Sequence, residues 1–182
     1  MCYNISMAQT SSTEQERDKL DVIGSTEYVS IGKLEKIPAK IDTGADSSSI
    51  WASDVKVEED GTLSFKLFAP KSPYYTGEVL KSKEYTVSVI RSSNGNEQIR
   101  YRTTLPIKID GHTVKAALTL ADRSRNNFPI LIGRRTISGR FLVDVSKTEV
   151  KRPPKNPKTR PLNKELNEDP FKFHKKYMKK SK

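Results

Sequence analysis

Between Glu27 and Ser146 the chain is a succession of short strand-like runs, and no other feature narrows its fold as much. The runs are "EYVSIGKL", "IPAKID", "GTLSFKLFA", "EYTVSVIRS", "EQIRYRTTLPIKI", "HTVKAALTL" and "FLVDVS". Each alternates with period two or is rich in β-branched residues, as a half-buried strand requires. Asp60-Gly61, Asn94-Gly95 and Asp110-Gly111 punctuate the runs. Such dipeptides supply the positive φ angles of tight turns. No helical period is sustained over ten or more residues before residue 150. Short strands joined by turns predict an all-β barrel or sandwich.

The flanks differ in composition. The chain has 182 residues, of which 34% are apolar; that suits a core domain of about 100–130 residues with polar extensions. Residues 1–24 are polar and predict a flexible lead-in. Residues 25–148 are the expected domain. Residues 149–182 form a proline-rich basic tail, in which "VKRPPKNPKTRPLNKELNEDP" holds five prolines and predicts an extended linker. The closing "PFKFHKKYMKKSK" allows a short basic amphipathic turn or disorder. From Lys151 to Lys182 there are 12 Lys/Arg against 3 Asp/Glu, so the tail carries +9 of the net +11 and the rest only +2. No stretch approaches the roughly 20 apolar residues of a membrane span. The N-terminal segment lacks the apolar run of a secretory signal. The expectation is a soluble, cytoplasmic protein, or a periplasmic one if a leader has been trimmed.

One stretch carries chemistry. "AKIDTGADSSSIW", Ala39 to Trp51, is a strand-like approach, then Asp42-Thr43-Gly44, then small polar residues. An Asp at a strand end is often an ordinary turn residue that accepts the next backbone N–H groups. A small polar shell also lets a substrate approach closely and holds a carboxylate ionised. Far downstream, "NNFPILIGRRTISGRFLVDV" contains an apolar strand ending in Gly133-Arg134.

Together, "IDTGA" and "ILIGRR" resemble the retropepsin family of aspartic proteases, over about residues 27–146. The longer segment "RTTLPIKIDGHTVKAALTLADRSRNNFPILIGRR" resembles a bacterial retropepsin-like group often labelled "ATP-dependent zinc protease" and linked to ATP-grasp glutamate ligases. The residues do not support the zinc and ATP of that label. The chain has two histidines, His112 and His174, 62 positions apart, and neither is followed by Glu. Cys2 is the single cysteine. A zinc site takes three or four N, S or O ligands. There is also no Gly-rich phosphate loop ending in Gly-Lys-Ser/Thr. Neither metal nor nucleotide cofactor is expected.

The resemblance implies roles. Asp42 would be the catalytic carboxylate, Thr43 would brace two loops through its hydroxyl, and Gly44 would present its backbone to substrate. Ile132, Gly133 and Arg134 would cross behind Asp42 in a ψ-shaped loop. Ala45 and Asp46 would contact substrate; alternatively Asp46 forms a buried ion pair with Arg134, and either role makes Arg134→Ala inactive. Tyr74, Tyr75 and Gly77 would form the mobile tip of a flap over Pro70–Val87, unless that segment is a surface loop. Aspartic proteolysis needs two carboxylates sharing a proton. One Asp-Thr-Gly supplies half a site, so a symmetric homodimer is expected.

Arginines are frequent in this region: Arg91, Arg100, Arg102, Arg123, Arg125, Arg134 and Arg135. Guanidinium forks bind carboxylates bidentately. Arg102 and Arg125 are the expected contacts for an acidic, glutamate-rich peptide of the kind a glutamate ligase makes; the plainer alternative is scattered strand-face charge. A different class of function also fits. In it, the domain is a non-catalytic binding module, and the basic tail holds nucleic acid or ribosome, with Phe171, Phe173 and Tyr177 interleaved among lysines for base stacking.

Overall fold

The computed structural model describes residues 20–91, 97–151 and 159–177. It divides into a unit up to Val150 and a second from Lys151 onward.

Among the described residues, the first unit has eleven strands. They are β1 (Asp21–Ile23), β2 (Thr26–Ile31), β3 (Leu34–Asp42), β4 (Ser48–Val57), β5 (Leu63–Leu67), β6 (Val79–Ser82), β7 (Tyr85–Arg91), β8 (Glu97–Ile109), β9 (His112–Ala121), β10 (Ile130–Gly133) and β11 (Phe141–Val143). Six of them run in the order β10-β3-β2-β8-β9-β4, and β4 pairs back with β10, closing a mixed barrel. This is the all-β, retropepsin-like barrel expected, one lobe per chain. Closure removes the unpaired edges that an open sheet would expose.

Alternation explains the core. In β3, Ile37, Ala39 and Ile41 point inward and Lys40 outward. Val114, Ala116 and Leu118 do the same in β9. Ile37, Ile50, Phe65, Ile107, Leu118 and Ile130 are almost completely buried. Each contributes roughly 1.5–3 kcal/mol relative to an exposed side chain.

The "EYVSIGKL" run, read as one strand, is a hairpin. Gly32 takes φ +58° between Ile31 and Leu34, and the chain reverses there. The Asp110-Gly111 turn joins β8 to β9, with φ +44° and +81°. Asn94-Gly95 lies outside the described residues.

Three expectations need correction. First, β1 falls within the lead-in assigned to residues 1–24. Ile23 is buried, and β1 pairs in parallel with β11. The folded unit also runs past 148, since the Glu149 N–H donates to the Thr26 carbonyl (3.1 Å) and the Val150 N–H to Thr26 Oγ1 (3.1 Å). Second, the polar stretch after Asp42 becomes the ten-residue strand β4. Ser48 and Ser49 are buried in it, and Ser53 is half-buried.

Third, the tail is not an extended linker as far as Pro170. A short helix α1 (Arg134–Ile137) closes the β10 loop, and two more follow in the second unit: α2 (Thr159–Glu168) and α3 (Pro170–Tyr177). Pro161 lies in the first turn of α2, where a missing N–H breaks no intrahelical bond. Pro170 opens α3, and the Asp169 carboxylate caps it by accepting the Lys172 N–H at 2.9 Å. Proline at the first helical position starts a helix rather than breaking one.

Candidate active site

Strand β3 carries Asp42 to the mouth of the barrel, and β10 runs parallel beside it with Gly133 level with Asp42. The same β10 pairs antiparallel with β4, Leu131 opposite Ser49. A strand thus passes between the two arms of the Asp-Thr-Gly loop. One Asp42 oxygen accepts the Gly44 N–H at 3.2 Å, and the other lies 3.2 Å from Lys40 Nζ. The carboxylate is about one-quarter exposed (27%), so it can meet a substrate.

The crossing admits no side chain at Gly133. A Cβ there would lie 2.7 Å from the Ser47 carbonyl and 2.9 Å from the Ala45 oxygen. Ser48 Oγ accepts the Gly133 N–H at 3.0 Å and shares a 2.7 Å hydrogen bond with Thr136 of α1. The Arg134 and Arg135 N–H groups donate to the Ala45 and Asp46 carbonyls, at 2.8 and 3.3 Å. Ile132 is fully buried behind the loop. Thr43 is exposed, and its hydroxyl bonds to no described residue. Gly44 has open space around it; an added Cβ would meet only Asp42 Oδ1, at 3.4 Å.

Asp46 does pair with Arg134 (3.3 Å), but also with Arg135 (2.9 Å), and both bridges are exposed. The expected buried pair is therefore a surface pair, because the Arg134 side chain leaves the crossing toward solvent. Hydrogen bonding from Arg134, with both guanidinium charges, lowers the Asp46 pKa.

Beside the Gly44–Ser47 loop lies a cleft of about 590 Å³. The β7–β8 hairpin forms one wall, contributing Ser88, Ile90, Arg100 and Arg102, and Ser49, Thr119 and Leu131 also line it. Five arginines reach it: Arg91, Arg100, Arg102, Arg123 and Arg135. Arg91 pairs with Glu97 and Arg135 with Asp46. Arg100, Arg102 and Arg123 have no carboxylate within ion-pair distance among the described residues. Burial lowers the pKa of Arg100. Burial, then the Arg100 charge, lowers that of Arg123, while the Asp42 charge opposes the shift. Arg123 thus lies within electrostatic reach of Asp42. Among the described residues, no three His, Cys, Asp or Glu side chains gather in a group able to hold a metal ion.

The structure brings Gly44, Ala45, Asp46 and Arg102 together around this cleft, places Asp42 next to it through the Gly44 N–H, and braces the loop with Gly133 and Arg134. It does not bring Tyr75, Gly77 or Arg125. Gly77 lines a different cavity, with Ile31, Leu34 and Leu80. Tyr75 packs against the core and neighbours Lys66. The expected flap segment turns instead into β6, which pairs with β5. The hairpin over the cleft is β7–β8. Arg125 is exposed in the 122–127 turn, where hydrogen bonds from Ser124 and then the Arg125 charge lower the pKa of Asp122. From the sequence, Ser48, Ser49 and Thr136 have no individual role, and Arg100 and Arg123 stand among the arginines of the region without being chosen as substrate contacts. Arg100 was accessible from parity, being two residues from Arg102 on one strand and so on the same face. Ser49 carried no such signal.

A family model described as "Retropepsin-like aspartic endopeptidase RimB" matches residues 22–154. A protein of Shewanella halifaxensis described as a probable alpha-L-glutamate ligase is 32% identical over 136 residues, 72% of this chain and 30% of that protein. Its counterpart in Desulfotalea psychrophila is 29% identical over 128 residues, 68% of this chain and 28% of that protein. The chain thus spans about a third of the length of these curated relatives. A crystal structure of a Legionella pneumophila protein of unknown function superposes with a TM-score of 0.56 at 24% identity, covering 70% of this chain and 95% of that one. At that identity the likeness concerns the fold.

Proposed function

This chain belongs to the RimB-like family of retropepsin-like aspartic endopeptidases, a family of hydrolases, and from that premise we propose that it cleaves acidic, glutamate-rich peptides as a homodimer with one Asp42 per subunit. The observation that carries the reading is Asp42 itself, partly open at a strand end, locked by the Gly133 crossing and beside a cleft of arginines. Two such carboxylates at a two-fold axis share one proton, because two like charges so close do not both ionise. The ionised one takes a proton from a water as it attacks the scissile carbonyl. The protonated one donates to the carbonyl oxygen. Thr43 and Gly44, exposed and unencumbered, are the groups available to a second subunit and to substrate. The relatives' description as glutamate ligases supports a glutamate-rich substrate.

The test compares wild type and Asp42→Asn on a glutamate-rich and a neutral peptide of equal length. The expected result is hydrolysis of the acidic peptide, abolished in the variant. Equal cleavage of both peptides would remove the substrate reading, and undiminished activity in Asp42→Asn would remove the mechanism. A second reading, a binding module whose tail contacts nucleic acid, draws on α3, where Phe171 is three-quarters exposed beside Lys172. Deleting residues 151–182 separates the two. An accessory tail leaves hydrolysis intact.

A further inference from the structure

The cleft holds more cation than the described residues neutralise. Three of its arginines are fixed at Nε and open at the fork. Arg100 Nε donates to Gln98 Oε1 at 2.9 Å, Arg102 Nε to Thr86 Oγ1 at 3.2 Å, and Arg123 Nε to the Phe128 carbonyl at 3.1 Å. The terminal Nη groups of these three make no hydrogen bond to a described residue. An arginine held at Nε presents its remaining donors in a fixed plane, the arrangement a carboxylate accepts best.

Arg100 and Arg123 differ from Arg102 in two respects. Both are partly desolvated, and the charge of Arg100 bears on Arg123. Two like charges brought together out of water are costly until an anion joins them. Near them is a second unsatisfied group. Ser49 is 94% buried, and its hydroxyl is the single buried side-chain oxygen or nitrogen without a partner among the described residues. It lines the same cleft, and its strand register places it beside Leu131 of β10 and Thr119 of β9. A buried hydroxyl left unpaired costs about 1–3 kcal/mol, so a native structure keeps one where a ligand will satisfy it or where packing demands it.

We propose that Arg100, Arg123 and the Ser49 hydroxyl form a built subsite for the side-chain carboxylate of a substrate residue next to the cleaved bond, and so set a preference for glutamate over its neutral isostere glutamine. The inference rests on the peptidase reading above and adds to it the residues that select. The subsite adjoins the reacting bond because Gly44, whose N–H donates to the Asp42 carboxylate at 3.2 Å, lines the same cleft as Arg100, Arg123 and Ser49. Glutamine would fill the same volume but leave both guanidinium charges unpaired, which is how a site built for a charge rejects its isostere. Arg102, two residues along β8 from Arg100, provides general attraction for an acidic chain.

The experiment uses the full chain and two peptides differing by one glutamate-to-glutamine change, each offered to wild type, Arg100→Gln, Arg123→Gln, Arg123→Lys, Ser49→Ala and Arg125→Gln. Thermal melting is recorded for every variant. Wild type is expected to favour the glutamate peptide in kcat/KM by on the order of 100-fold, the scale of a buried hydrogen-bonded charge pair. Arg100→Gln and Arg123→Gln should bring the ratio to within about 3-fold, with most of the loss on the glutamate peptide, and Arg123→Lys should restore part of it. Ser49→Ala should lower the ratio less. Arg125→Gln removes a charge outside the cleft and should leave the ratio as in wild type. Wild type indifferent to the change, or a ratio unmoved in folded Arg100→Gln and Arg123→Gln, overturns the subsite. So does a ratio that falls as far in Arg125→Gln, because net charge would then explain it. If no peptide is cut at all, the peptidase reading fails and binding decides this one. Calorimetric preference for the glutamate peptide, lost in the Arg100 and Arg123 variants, upholds the subsite; equal binding of both peptides overturns it.

Discussion

Gly133 and Gly44 flank the same crossing under opposite constraints. A Cβ on Gly133 would press into the backbone of Ser47 and Ala45 at 2.7–2.9 Å, and neither can yield without moving the loop that holds Asp42. Gly133→Ala is expected to cost on the order of 1–3 kcal/mol, the range of overpacked sites, and to abolish hydrolysis. Gly44 takes no positive φ, and its added Cβ would make one ordinary contact with Asp42 Oδ1. Gly44→Ala should melt with wild type, so any activity it loses reports what approaches from outside the chain. Paired melting and peptidase assays check both. Asp46 gives a second prediction. Its bridges to Arg134 and Arg135 are about half exposed, so Arg134→Ala should leave the denaturation midpoint close to that of wild type, as loss of a surface pair does. A large fall of the midpoint in a denaturant titration would mean the pair is buried in the molecule as it exists in solution. At this scale the sequence discloses Asp42 and Gly133, because both needs are local: an acid at a strand end and a residue without a Cβ. It does not disclose Ser49 or Arg123, whose roles arise when β4, β9 and β10 align.

The ψ crossing and the β7–β8 hairpin divide the work among elements. The crossing fixes the acid, and the hairpin supplies the charge, since Arg100 and Arg102 alternate onto its cleft face. Long-range attraction from such a face is screened by salt, over about 30 Å at 0.01 M but about 8 Å at 0.15 M ionic strength. The kcat/KM for a glutamate-rich peptide should fall as salt rises through that range, chiefly through KM, while a neutral peptide changes little. A salt-independent value for the acidic peptide would mean these arginines do not steer it. Elements joined by tight turns were legible, since Asp60-Gly61 and Asp110-Gly111 impose backbone angles that few other residues accept. β4 was not, because its first two buried positions are serines, and Ser48 is satisfied only across the barrel, by Gly133 and Thr136. Tyr75 and Gly77 looked like a flap because aromatic and glycine residues suit loop tips. In the fold, β6 pairs with β5 and carries that segment away from the acid. Of the tail helices, α2 was hidden because its segment is rich in proline, although Pro161 sits harmlessly in its first turn, whereas α3 lies where the sequence allowed a short amphipathic turn.

At the scale of the molecule, two quantities follow from parts far apart in sequence. Glu27 on β2 is buried, and its Oε1 accepts the Gly24 N–H at 2.5 Å. Burial raises its pKa, the Gly24 bond opposes this, and the charges of Glu149 and Asp110 add to the rise. A carboxyl with a raised native pKa favours folding fully below its unfolded value, about 4.3, and that contribution is lost as pH climbs through the native value. Glu27→Gln keeps an acceptor for Gly24 and carries no charge to bury. It should melt higher than wild type near neutral pH and equal to it in acid; an equal gain at every pH would implicate packing instead. The second quantity is stoichiometry. One carboxylate per chain makes the proposed site a property of a pair, which no single barrel contains. Wild-type and Asp42→Asn chains, unfolded together and refolded, should form dimers at random. If both carboxylates are required, activity follows the square of the wild-type fraction, so an equal mixture retains about one quarter of the all-wild-type value. If one chain suffices, activity is linear in that fraction and the equal mixture retains about one half. The curve over several fractions distinguishes the two without knowledge of the natural substrate, because it needs only a peptide that is cut. A linear result would leave the barrel and the crossing as described and require the second acid, or its substitute, to come from within the same chain.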